Sequence, residues 1–457
     1  MFRYQTGVIV SSTEVGLKRS LSLRDLITYG LLFIGPTAPM GVYGVLDAKS
    51  GGAVALVFVV ATVAMGFTAW SYARMAEAVP KAGSVFAYAS AGLGRGPGFF
   101  AGWMIALDYL FIPSMAALFT GVATNALVPA IPVWLATGVA VVVITGLNLA
   151  GVRLAAVVGM VMLVIEIVVL ALFMIAAIVV LAHDGPDRPW LSPLIGFDGF
   201  SAAAVVGAVS VAVLSFLGFD AIASFAEENT GSPRQVGRAL LVCLTLAGAL
   251  FVAQTYLGGL LTKVTPEQLA AHPADQGAAF YTMLHDAIGG WLGTIVTAMK
   301  AVGPVFSALV AQAAVSRLMY GMARDGQLPR ALGRVSPRTR TPGVAVLVSA
   351  VVTMLIAVVA ALRPDGLDVL SSLVTVGALT GFLFLHASVV GYFVVGGRTE
   401  RTALHVVVPV VGVAIIVPVL VLASPLALAV AGVWLVVGIA AFAVRVAHDR
   451  RTVTVSQ

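Results

Sequence analysis

The stretch GPTAPMG, Gly35 to Gly41, interrupts an apolar run that begins with RDLITYGLLFI and continues with VYGVL. A proline lacks the backbone N–H that would bond to the carbonyl four residues earlier, so Pro36 frees the carbonyl of Leu32 and Pro39 frees that of Gly35. Inside a bilayer such carbonyls are tolerated only where protein, water or a ligand covers them. The stretch therefore predicts a broken membrane helix beside a cavity. A packing kink is the alternative, because proline and glycine are common in membrane helices.

The composition of the whole chain indicates the same surroundings. Hydrophobic residues make up 60% of the 457 residues and charged residues 10%, and the mean hydropathy is +1.04. These values are typical of an integral membrane protein and exclude an ordinary soluble globule. The single cysteine, Cys243, excludes an internal disulfide framework. Residues 1–20 lack the short apolar core of a cleavable signal peptide, so none is expected.

Apolar runs of about 20 residues predict twelve membrane spans, numbered 1 to 12 from here on. They lie near residues 24–47, 52–79, 98–127, 132–150, 155–182, 201–228, 237–262, 290–323, 342–361, 368–395, 404–423 and 425–447. The polar gap between spans 7 and 8 is long enough to fold into short surface helices and to act as a lid. We expect one polytopic unit without a separate soluble domain.

The distribution of basic residues predicts the orientation of the chain. With the N-terminus in the cytoplasm, 21 of the 26 basic residues fall on the cytoplasmic side, four fall outside and Lys300 lies within span 8. Such a bias follows the positive-inside rule. It explains the basic isoelectric point of about 9.6 without a nucleic acid partner. Both termini are therefore predicted to be cytoplasmic, in a plasma (inner) membrane protein.

Span 6 repeats the interruption of span 1 in a weaker form. In the stretch SVAVLSFLGFDAIASFAEENTGSPR, residues 210–234, Gly218 and Asp220 break an apolar run near the middle of the membrane. Spans 1 and 6 are five spans apart. Broken helices at matching places in two five-helix units are typical of secondary transporters built from inverted repeats, in which the substrate binds at the breaks.

Three stretches carry a resemblance to a known family. They are YARMAEAVPKAGSVFAYASAGLGRGPGFFAGWMIALDYL (residues 72–110), SFLGFDAIASFAEENTGSPRQVGRAL (residues 215–240) and SRLMYGMARDGQLPRALGRVSPRTRTPGVAV (residues 316–346). Each resembles, in the corresponding place, a signature of the amino acid-polyamine-organocation (APC) superfamily of transporters. The likeness covers roughly residues 24–395 and is weaker in spans 11 and 12.

The resemblance implies an all-α membrane protein with twelve transmembrane helices, a five-plus-five inverted repeat with broken helices 1 and 6, and two further C-terminal helices. The predicted organisation is a cytoplasmic segment 1–23, a transporter core 24–395 with repeats 24–182 and 201–395, helices 11 and 12 in 404–447, and a cytoplasmic tail 448–457. Alternating access, with spans 1, 2, 6 and 7 rocking against spans 3, 4, 8 and 9, is also implied. The resemblance also implies that transport is coupled to protons or to exchange and not to ATP. Consistent with this, the chain has no Walker-type phosphate loop.

The break in span 1 departs from the Gly-rich pattern with which many amino acid transporters of the superfamily hold a substrate carboxylate. Pro36 and Pro39 have no N–H to donate, whereas freed carbonyls at a half-helix end favour a cation. The amides that remain are those of Thr37, Ala38, Met40 and Gly41. The form PxAPxGxYG is most similar to the putrescine-importer branch, which implies a diamine or related organic cation. A neutral or cationic amino acid permease that uses the four amides is the alternative.

Ionisable residues within the spans favour a cationic guest as well. Asp108, Glu166 and Asp220 each cost about 2.5–3.5 kcal/mol on insertion scales, and Lys300 is the one base inside a span. The excess of two acids suits one diamine, or one amine and one proton. Asp220 is the first candidate for substrate or proton handling, as the resemblance implies. Glu166 is the next, as a proton carrier or a hydrogen-bonded structural acid, and Asp108 suits substrate contact and structural pairing equally.

The predicted binding set is centred on the two breaks. Phe216 and Phe219 flank Gly218 and suit cation–π contact with an ammonium group, or simple packing. Tyr43 lies just beyond the break in span 1, where its phenol can reach the site or a lipid headgroup. Glu227 and Glu228 are expected to pair with Arg234 or Arg238. The predicted substrate-binding residues are Gly35, Pro36, Thr37, Ala38, Pro39, Tyr43, Phe216, Gly218, Phe219 and Asp220, and the charge or proton-coupling residues are Asp220, Glu166, Asp108 and Lys300.

Other classes of protein fit the sequence poorly. An enzyme would need a metal cluster or a nucleophile with its base, and the six histidines are dispersed without partner spacing. A passive channel would favour a repeated filter or a ring of charge, which this chain lacks. We therefore expect no enzymatic activity, no metal and no cofactor. The expected partners are a small organic cation or an amino acid, protons and the lipid bilayer.

Overall fold

The computed structural model describes residues 17–197, 199, 201–363, 366–400, 402–421 and 425–455. These residues are mostly helical and contain no β-strand. Eleven helices are long and apolar enough to cross a membrane, and a bent pair of shorter helices makes a twelfth span. The prediction of an all-α membrane protein with twelve spans is confirmed. Residues 1–16, which include most of the predicted N-terminal segment, and residues 422–423 of span 11 lie outside the described part.

Most spans lie within a few residues of their predicted bounds. Their helices are Leu23–Ile34 with Ala38–Ser50 (span 1), Val54–Ala78 (2), Arg95–Leu127 (3), Val133–Ala150 (4), Val152–His183 (5), Ala202–Leu214 with Phe219–Glu228 (6), Pro233–Leu261 (7), Gly290–Arg324 (8), Gly343–Ala361 (9), Gly366–Val389 continued by Val390–Val395 (10), Thr402–Val421 (11) and Pro425–Val455 (12). Span 12 is longer than predicted, because its helix continues into the expected tail 448–457 instead of ending near residue 447.

Span 1 is broken where the sequence predicts. Its first half begins at a capping box formed by Ser22 and Asp25, and it ends at Gly35, whose φ of +76° is outside the helical range. The second half follows at an angle of 44° and carries Pro39 in its first turn. A proline is well accommodated there, because the first amides of a helix have no intrahelical acceptor. Glycine and proline therefore act together to separate the two halves.

Span 6 is also broken. Its α-helix ends at Leu214, the chain turns at Gly218 with φ +107°, and residues 219–228 continue as a 3-10 helix. Ten residues is long for a 3-10 helix, since its hydrogen bonds are less well aligned than those of an α-helix. The ring of Phe33 packs on Gly218 so closely that an added Cβ would lie 2.7 Å from it. The breaks in spans 1 and 6 are thus in direct contact.

The connections contain further short helices. The gap between spans 7 and 8 holds helical turns at Pro266–Ala271, Pro273–Asp275, Ala279–Met283 and Leu284–Ile288, as expected. The connection between spans 2 and 3 holds a helix, Val85–Leu93, that the span prediction omitted. That helix packs against span 3 and span 10, which places its N-terminus beside the centre of the molecule.

The spans pack around a shared buried core. Span 2 packs along span 7, and span 3 packs along spans 8 and 10. Span 12 is attached to span 3 by Trp103 and Trp434, whose rings stack at a centroid distance of 4.6 Å while each indole Nε1 donates to the other residue's carbonyl at 2.7 Å. The membrane face at which span 1 begins is called the N-terminal face below, and the opposite one the distal face. The inverted repeat, the bundle division and the cytoplasmic orientation stay predictions.

Candidate functional site

Asp220 lies at the centre of the molecule, at the start of the 3-10 helix of span 6. Its side chain is fully buried. The carboxylate oxygen Oδ2 accepts hydrogen bonds from the hydroxyl of Tyr109 at 2.5 Å and from that of Tyr72 at 3.1 Å. The second oxygen, Oδ1, has no hydrogen-bond partner among the described residues. Spans 2 and 3 therefore stabilise one oxygen of this carboxylate, and the backbone N–H groups of Gly218 and Asp220 also stabilise its charge.

Aromatic rings surround the Asp220 carboxylate. The ring of Tyr72 makes edge-on contacts with Tyr88, Phe219 and Phe382, at centroid distances of 6.2, 5.9 and 5.8 Å. All four rings are buried. Aromatic faces attract ammonium groups, and the attraction is strongest where water is excluded. A carboxylate within such a set of rings can bind an organic cation without a second polar partner.

Asp108 is a second buried acid of the same region. It precedes Tyr109 on span 3 and is fully buried, and neither of its carboxylate oxygens has a hydrogen-bond partner in the described part of the chain. Its charge and that of Asp220 repel each other. Span 10 is in close contact with this part of span 3, because an added Cβ at Gly377 would lie 2.7 Å from the backbone nitrogen of Asp108. Asp108 is thus close enough to Asp220 for their charges to interact.

The carbonyls freed by the break in span 1 are already bonded, contrary to the expectation that they await a ligand. The carbonyl of Leu32 accepts from the hydroxyl of Ser307 at 2.8 Å, and that of Gly35 accepts from Ala38 N at 2.9 Å. The neighbouring carbonyl of Pro36 accepts from the side-chain amide of Gln254 at 2.9 Å. Ser307 lies on span 8 and Gln254 on span 7. The break is therefore held by the protein itself, whereas three carboxylate oxygens of Asp108 and Asp220 lack a hydrogen-bond partner among the described residues.

The backbone amides of the break are also partly used. Ala38 N donates to the carbonyl of Gly35 at 2.9 Å, and Met40 N donates to that of Thr37 at 3.1 Å. Two of the four amides expected to hold a carboxylate are therefore engaged, which leaves those of Thr37 and Gly41. A carboxylate binding site at this place is correspondingly weaker.

Lys300 lies at the break in span 1 and not beside Asp220. Its ammonium Nζ is 3.4 Å from the carbonyl oxygen of Thr37. Among the acids of the spans, Glu166 is the one on which its charge acts. One turn further along span 8, an added Cβ at Gly303 would lie 2.7 Å from Glu166 Oε1, so only glycine leaves room for that carboxylate. Lys300 and Glu166 thus form one group near the break, separate from Asp108 and Asp220.

Two of the predicted binding residues have other roles in the packing. The hydroxyl of Tyr43 lies 3.0 Å from that of Thr262, towards the distal face. Phe216 packs against Phe58 and Phe251, on spans 2 and 7, whereas Phe219 faces Tyr72 at the acid site. Within the described residues no group of three or more His, Cys, Asp or Glu side chains is placed to hold a metal ion.

Comparison with known proteins identifies the family. A model of the amino acid permease family matches residues 26–447. The chain belongs to this family. It is a transporter of the APC superfamily and not an enzyme, so both of these predictions are confirmed.

The relatives of this permease differ in substrate. The low-affinity putrescine importer PlaP of Escherichia coli (strain K12) is 28% identical over 405 residues, which cover 87% of this chain and 86% of that protein. The branched-chain amino acid permease BcaP of Bacillus subtilis (strain 168) is 29% identical over 84% of this chain and 83% of its own. The cationic amino acid transporter 4 of Mus musculus is 27% identical over 83% of this chain and 60% of its own.

The N-terminal face of the permease is closed by ion pairs at the end of span 6. Arg317 of span 8 binds both carboxylate oxygens of Glu228, and both side chains are buried. Arg324 binds Glu227 at 2.5 and 2.8 Å. The expectation that these acids pair with Arg234 or Arg238 was wrong. Spans 1, 7 and 8 all pack against the 3-10 helix, and it is span 8 whose arginines reach these acids. A partner so distant in sequence cannot be predicted from local spacing.

A cavity opens at the N-terminal face between spans 1, 5 and 7. Its volume is about 770 Å³, and its lining includes Arg24, Thr28, Met160 and Gln235. None of the predicted binding residues is in this lining. The Glu228–Arg317 pair and the contact between Tyr29 and Phe225, at a centroid distance of 5.0 Å, lie on the same side of the molecule. The permease is thus closed between this cavity and Asp220.

Several residues of the site carry no clear signal in the sequence. Tyr72 and Tyr109, the two donors to Asp220, lie within the quoted family stretch, but nothing in their spacing indicates that their hydroxyls meet one carboxylate. Gln254 and Ser307 are each one of several polar residues in their spans. Such residues usually bond within their own helix, so the signal for a contact with another span is weak.

Proposed function

We propose that this permease imports a small organic cation with two amino groups, such as putrescine, across the plasma membrane by proton-coupled alternating access. The observation that carries the proposal is the pair Asp108 and Asp220. Both are fully buried, and neither takes part in an ion pair within the described residues. Lys300 is placed with Glu166 and does not neutralise them. Two buried acids without a resident base match two ammonium groups.

In this proposal Asp220 binds the first ammonium group. Its free oxygen Oδ1 accepts the new hydrogen bond, while Tyr72 continues to donate to Oδ2. The rings of Tyr72 and Phe219 cover the alkyl chain and the face of the cation. Asp108, whose two oxygens are both without partners, binds the second ammonium group. The bound diamine thereby offsets the cost of burying two carboxylates.

Coupling to protons is part of the same proposal. In the absence of substrate, Asp108 and Asp220 cannot both remain charged at low cost, because burial disfavours the charged form and like charges repel. A proton taken from outside would neutralise one of them during the return of the empty carrier. Glu166 is the second proton-coupling candidate, since Lys300 is the one basic group beside it.

The relatives and the break in span 1 support a cationic substrate. The putrescine importer is similar over 87% of this chain. With Ala38 N and Met40 N already donating to backbone carbonyls, the break offers few donors to a carboxylate. The predicted rocking of spans 1, 2, 6 and 7 fits the breaks in spans 1 and 6, where the half-helices can change angle.

An amino acid permease is the second candidate, and one observation favours it. The ammonium of Lys300 lies beside the N-terminus of the second half of span 1, at Thr37. Positive charge and a helix N-terminus both attract a carboxylate. A cationic amino acid would then place its carboxylate at Lys300 and its side-chain amine at Asp220. The branched-chain permease BcaP, 29% identical, keeps a neutral substrate in consideration.

Uptake by proteoliposomes distinguishes the two candidates. We would measure uptake of labelled putrescine with an inward proton gradient, with and without a protonophore, and in competition with putrescine, lysine, alanine and glutamate. The proposal requires competition by putrescine above all and loss of concentrative uptake with the protonophore. Failure of putrescine to enter, or competition by amino acids alone, would replace the diamine by an amino acid. If the protonophore leaves concentrative uptake unchanged, transport is not coupled to protons.

A further inference from the structure

Ser84 stands out by its backbone conformation. It is fully buried, with φ +49° and ψ −131°. The other described non-glycine residue with positive φ is Arg340, in the connection that follows span 8. L-residues rarely adopt such angles, and a buried residue held in them is usually constrained by its surroundings for a functional reason. Ser84 therefore needs an explanation beyond packing.

The hydroxyl of Ser84 does not fulfil the usual role of a serine at this place. Ser84 is the N-cap of the helix Val85–Leu93, where a serine hydroxyl commonly accepts from an amide of the first turn. Here no such bond forms. Its Oγ lies instead 3.3 Å from the hydroxyl of Tyr109, which donates to Asp220 at 2.5 Å. Tyrosine has one hydroxyl proton, so Ser84 is the donor to Tyr109 in this arrangement.

The same loop contacts the closed N-terminal face. Ala82 N, two residues before Ser84, donates to Glu227 Oε1 at 3.0 Å, and Glu227 is the partner of Arg324. Span 8 is also in close contact with this loop, because an added Cβ at Gly321 would lie 2.8 Å from the carbonyl oxygen of Ala82. The loop 81–84 thus touches the acid that closes the face and, through Tyr109, the acid at the centre.

Both acids belong to one element. Asp220 and Glu227 lie at the two ends of the 3-10 helix Phe219–Glu228, so the loop contacts this helix at both ends. When a ligand ammonium satisfies Asp220, Tyr109 no longer has to donate to it and can donate to Ser84. The hydrogen bonds then reverse by rotation of two hydroxyl groups, and no covalent bond changes. Ser84 then accepts instead of donating, so its own proton can bond within the loop, the backbone at Ser84 can relax and Ala82 N can withdraw from Glu227.

We infer that Ser84 is a positioning residue that transmits the occupation of Asp220 to the closure of the N-terminal face at Glu227. The inference rests on the proposed binding role of Asp220 and adds to it a physical connection to the gate. It names a residue whose hydroxyl is needed for the conformational step and not for substrate binding. Its loss should therefore affect the rate of transport more than the affinity for the substrate.

Two substitutions separate the hydroxyl from the backbone conformation. Ser84→Ala removes the hydroxyl and keeps the Cβ that makes positive φ unfavourable, whereas Ser84→Gly removes both and accepts positive φ without strain. If Ser84 only shapes the loop, Ser84→Gly should transport as well as the unmodified protein and be at least as stable. We expect both variants to lower the maximal uptake rate about tenfold and to change KM less than about twofold, because a coupling step is lost.

A labelling experiment reports the gate directly. A Thr28→Cys reporter is buried at the edge of the cavity on the N-terminal face, and the native Cys243 is buried as well. Thiol labelling of the full-length protein in detergent is measured with and without saturating putrescine. With Ser84 present, putrescine should change the labelling rate of the reporter. In the Ser84→Ala and Ser84→Gly backgrounds this change should be lost.

A double variant tests whether Ser84 acts through Tyr109. Uptake by Ser84→Ala combined with Tyr109→Phe should be no lower than uptake by Tyr109→Phe alone, since both remove the same connection. Additive losses, or a putrescine-dependent labelling change that persists in Ser84→Gly, would overturn the inference. If the unmodified protein ignores putrescine but responds to lysine or a branched-chain amino acid, the proposed substrate is wrong, and the Ser84 comparison is carried out with that substrate.

Discussion

Arg188 binds both carboxylate oxygens of Asp47, at 2.9 and 2.8 Å, and both side chains are almost fully buried, with exposed fractions of 2% and 0%. The guanidinium also donates to the carbonyl of Val264. Asp47 belongs to the second half of span 1, Arg188 to the connection between spans 5 and 6, and Val264 to the connection between spans 7 and 8. One arginine therefore holds three segments together at the distal face. It is the counterpart there of Arg317 at the N-terminal face.

The first prediction concerns this arginine. Arg188→Gln should destabilise the permease by about 3–5 kcal/mol, because it leaves the buried carboxylate of Asp47 without its charged partner. It should also increase labelling of a cysteine introduced at the distal end of span 1. The stability is measured by unfolding in detergent. Arg234→Gln is the matched control, since Arg234 is 84% exposed and its ion pair with Glu77 should contribute less than about 1 kcal/mol. If the two variants lose the same stability, the buried ion pair of Arg188 does not hold the distal face together.

The second prediction concerns Asp220. Asp220→Asn keeps the shape of the side chain and removes its charge, so it should weaken putrescine uptake about 30-fold or more, as expected for the loss of a buried charged contact of at least about 2 kcal/mol. Its melting temperature should stay close to that of the unmodified protein. Glu400→Gln, at an exposed acid, is the control and should leave uptake unchanged. Near-normal, proton-dependent uptake by Asp220→Asn would remove Asp220 from the mechanism.

The third prediction concerns the group formed by Lys300 and Glu166. Lys300→Met should lower stability, because Glu166 then stays buried without a nearby cation and the Thr37 carbonyl loses a donor. Adding Glu166→Gln should restore part of this loss, with an interaction energy of about 0.5–3 kcal/mol. Combining Lys300→Met with Asp108→Asn is the control, and no recovery is expected. Recovery with Asp108→Asn and not with Glu166→Gln would reassign the partner of Lys300.

The limits of the sequence analysis follow from the distance over which each feature is determined. Local chemistry predicts the break at Pro36, because the missing N–H is a property of the residue itself. It does not predict that Ser307, 275 residues away from Leu32, would bond the freed carbonyl. The partners of Glu227 and Glu228 were missed for the same reason. The twelve spans were predictable, since hydropathy acts within a window of about 20 residues.

The conformation of Ser84 likewise could not be predicted from the local sequence. Nothing in the sequence AGSVF requires a serine to adopt φ +49°. At this angle Ser84 contacts Tyr109 on span 3, and Ala82, two residues earlier, contacts Glu227 on span 6. Such strain appears only when the surrounding spans are in place, so it becomes visible at the level of tertiary structure.

The last prediction compares two glycines of the break in span 1. Gly35 has φ +76°, and the nearest atom to an added Cβ is Ser307 Oγ at 3.9 Å. Gly41 is helical, and the nearest such atom is Lys300 Nζ at 3.8 Å. Both positions have room for a methyl group, so only the backbone conformation differs. Gly35→Ala should therefore destabilise the permease by about 1–2 kcal/mol, whereas Gly41→Ala should be neutral or stabilise it by about 0.5–1 kcal/mol.

Uptake should likewise be lower in Gly35→Ala than in Gly41→Ala. The turn at Gly35 positions the second half of span 1, at whose start the Thr37 carbonyl contacts Lys300. Thermal unfolding in detergent and putrescine uptake in proteoliposomes measure the two effects on the same preparations. If Gly35→Ala is as stable and as active as Gly41→Ala, then the left-handed turn is not needed. The break would in that case be a packing kink, and the half-helices of span 1 would have no part in transport.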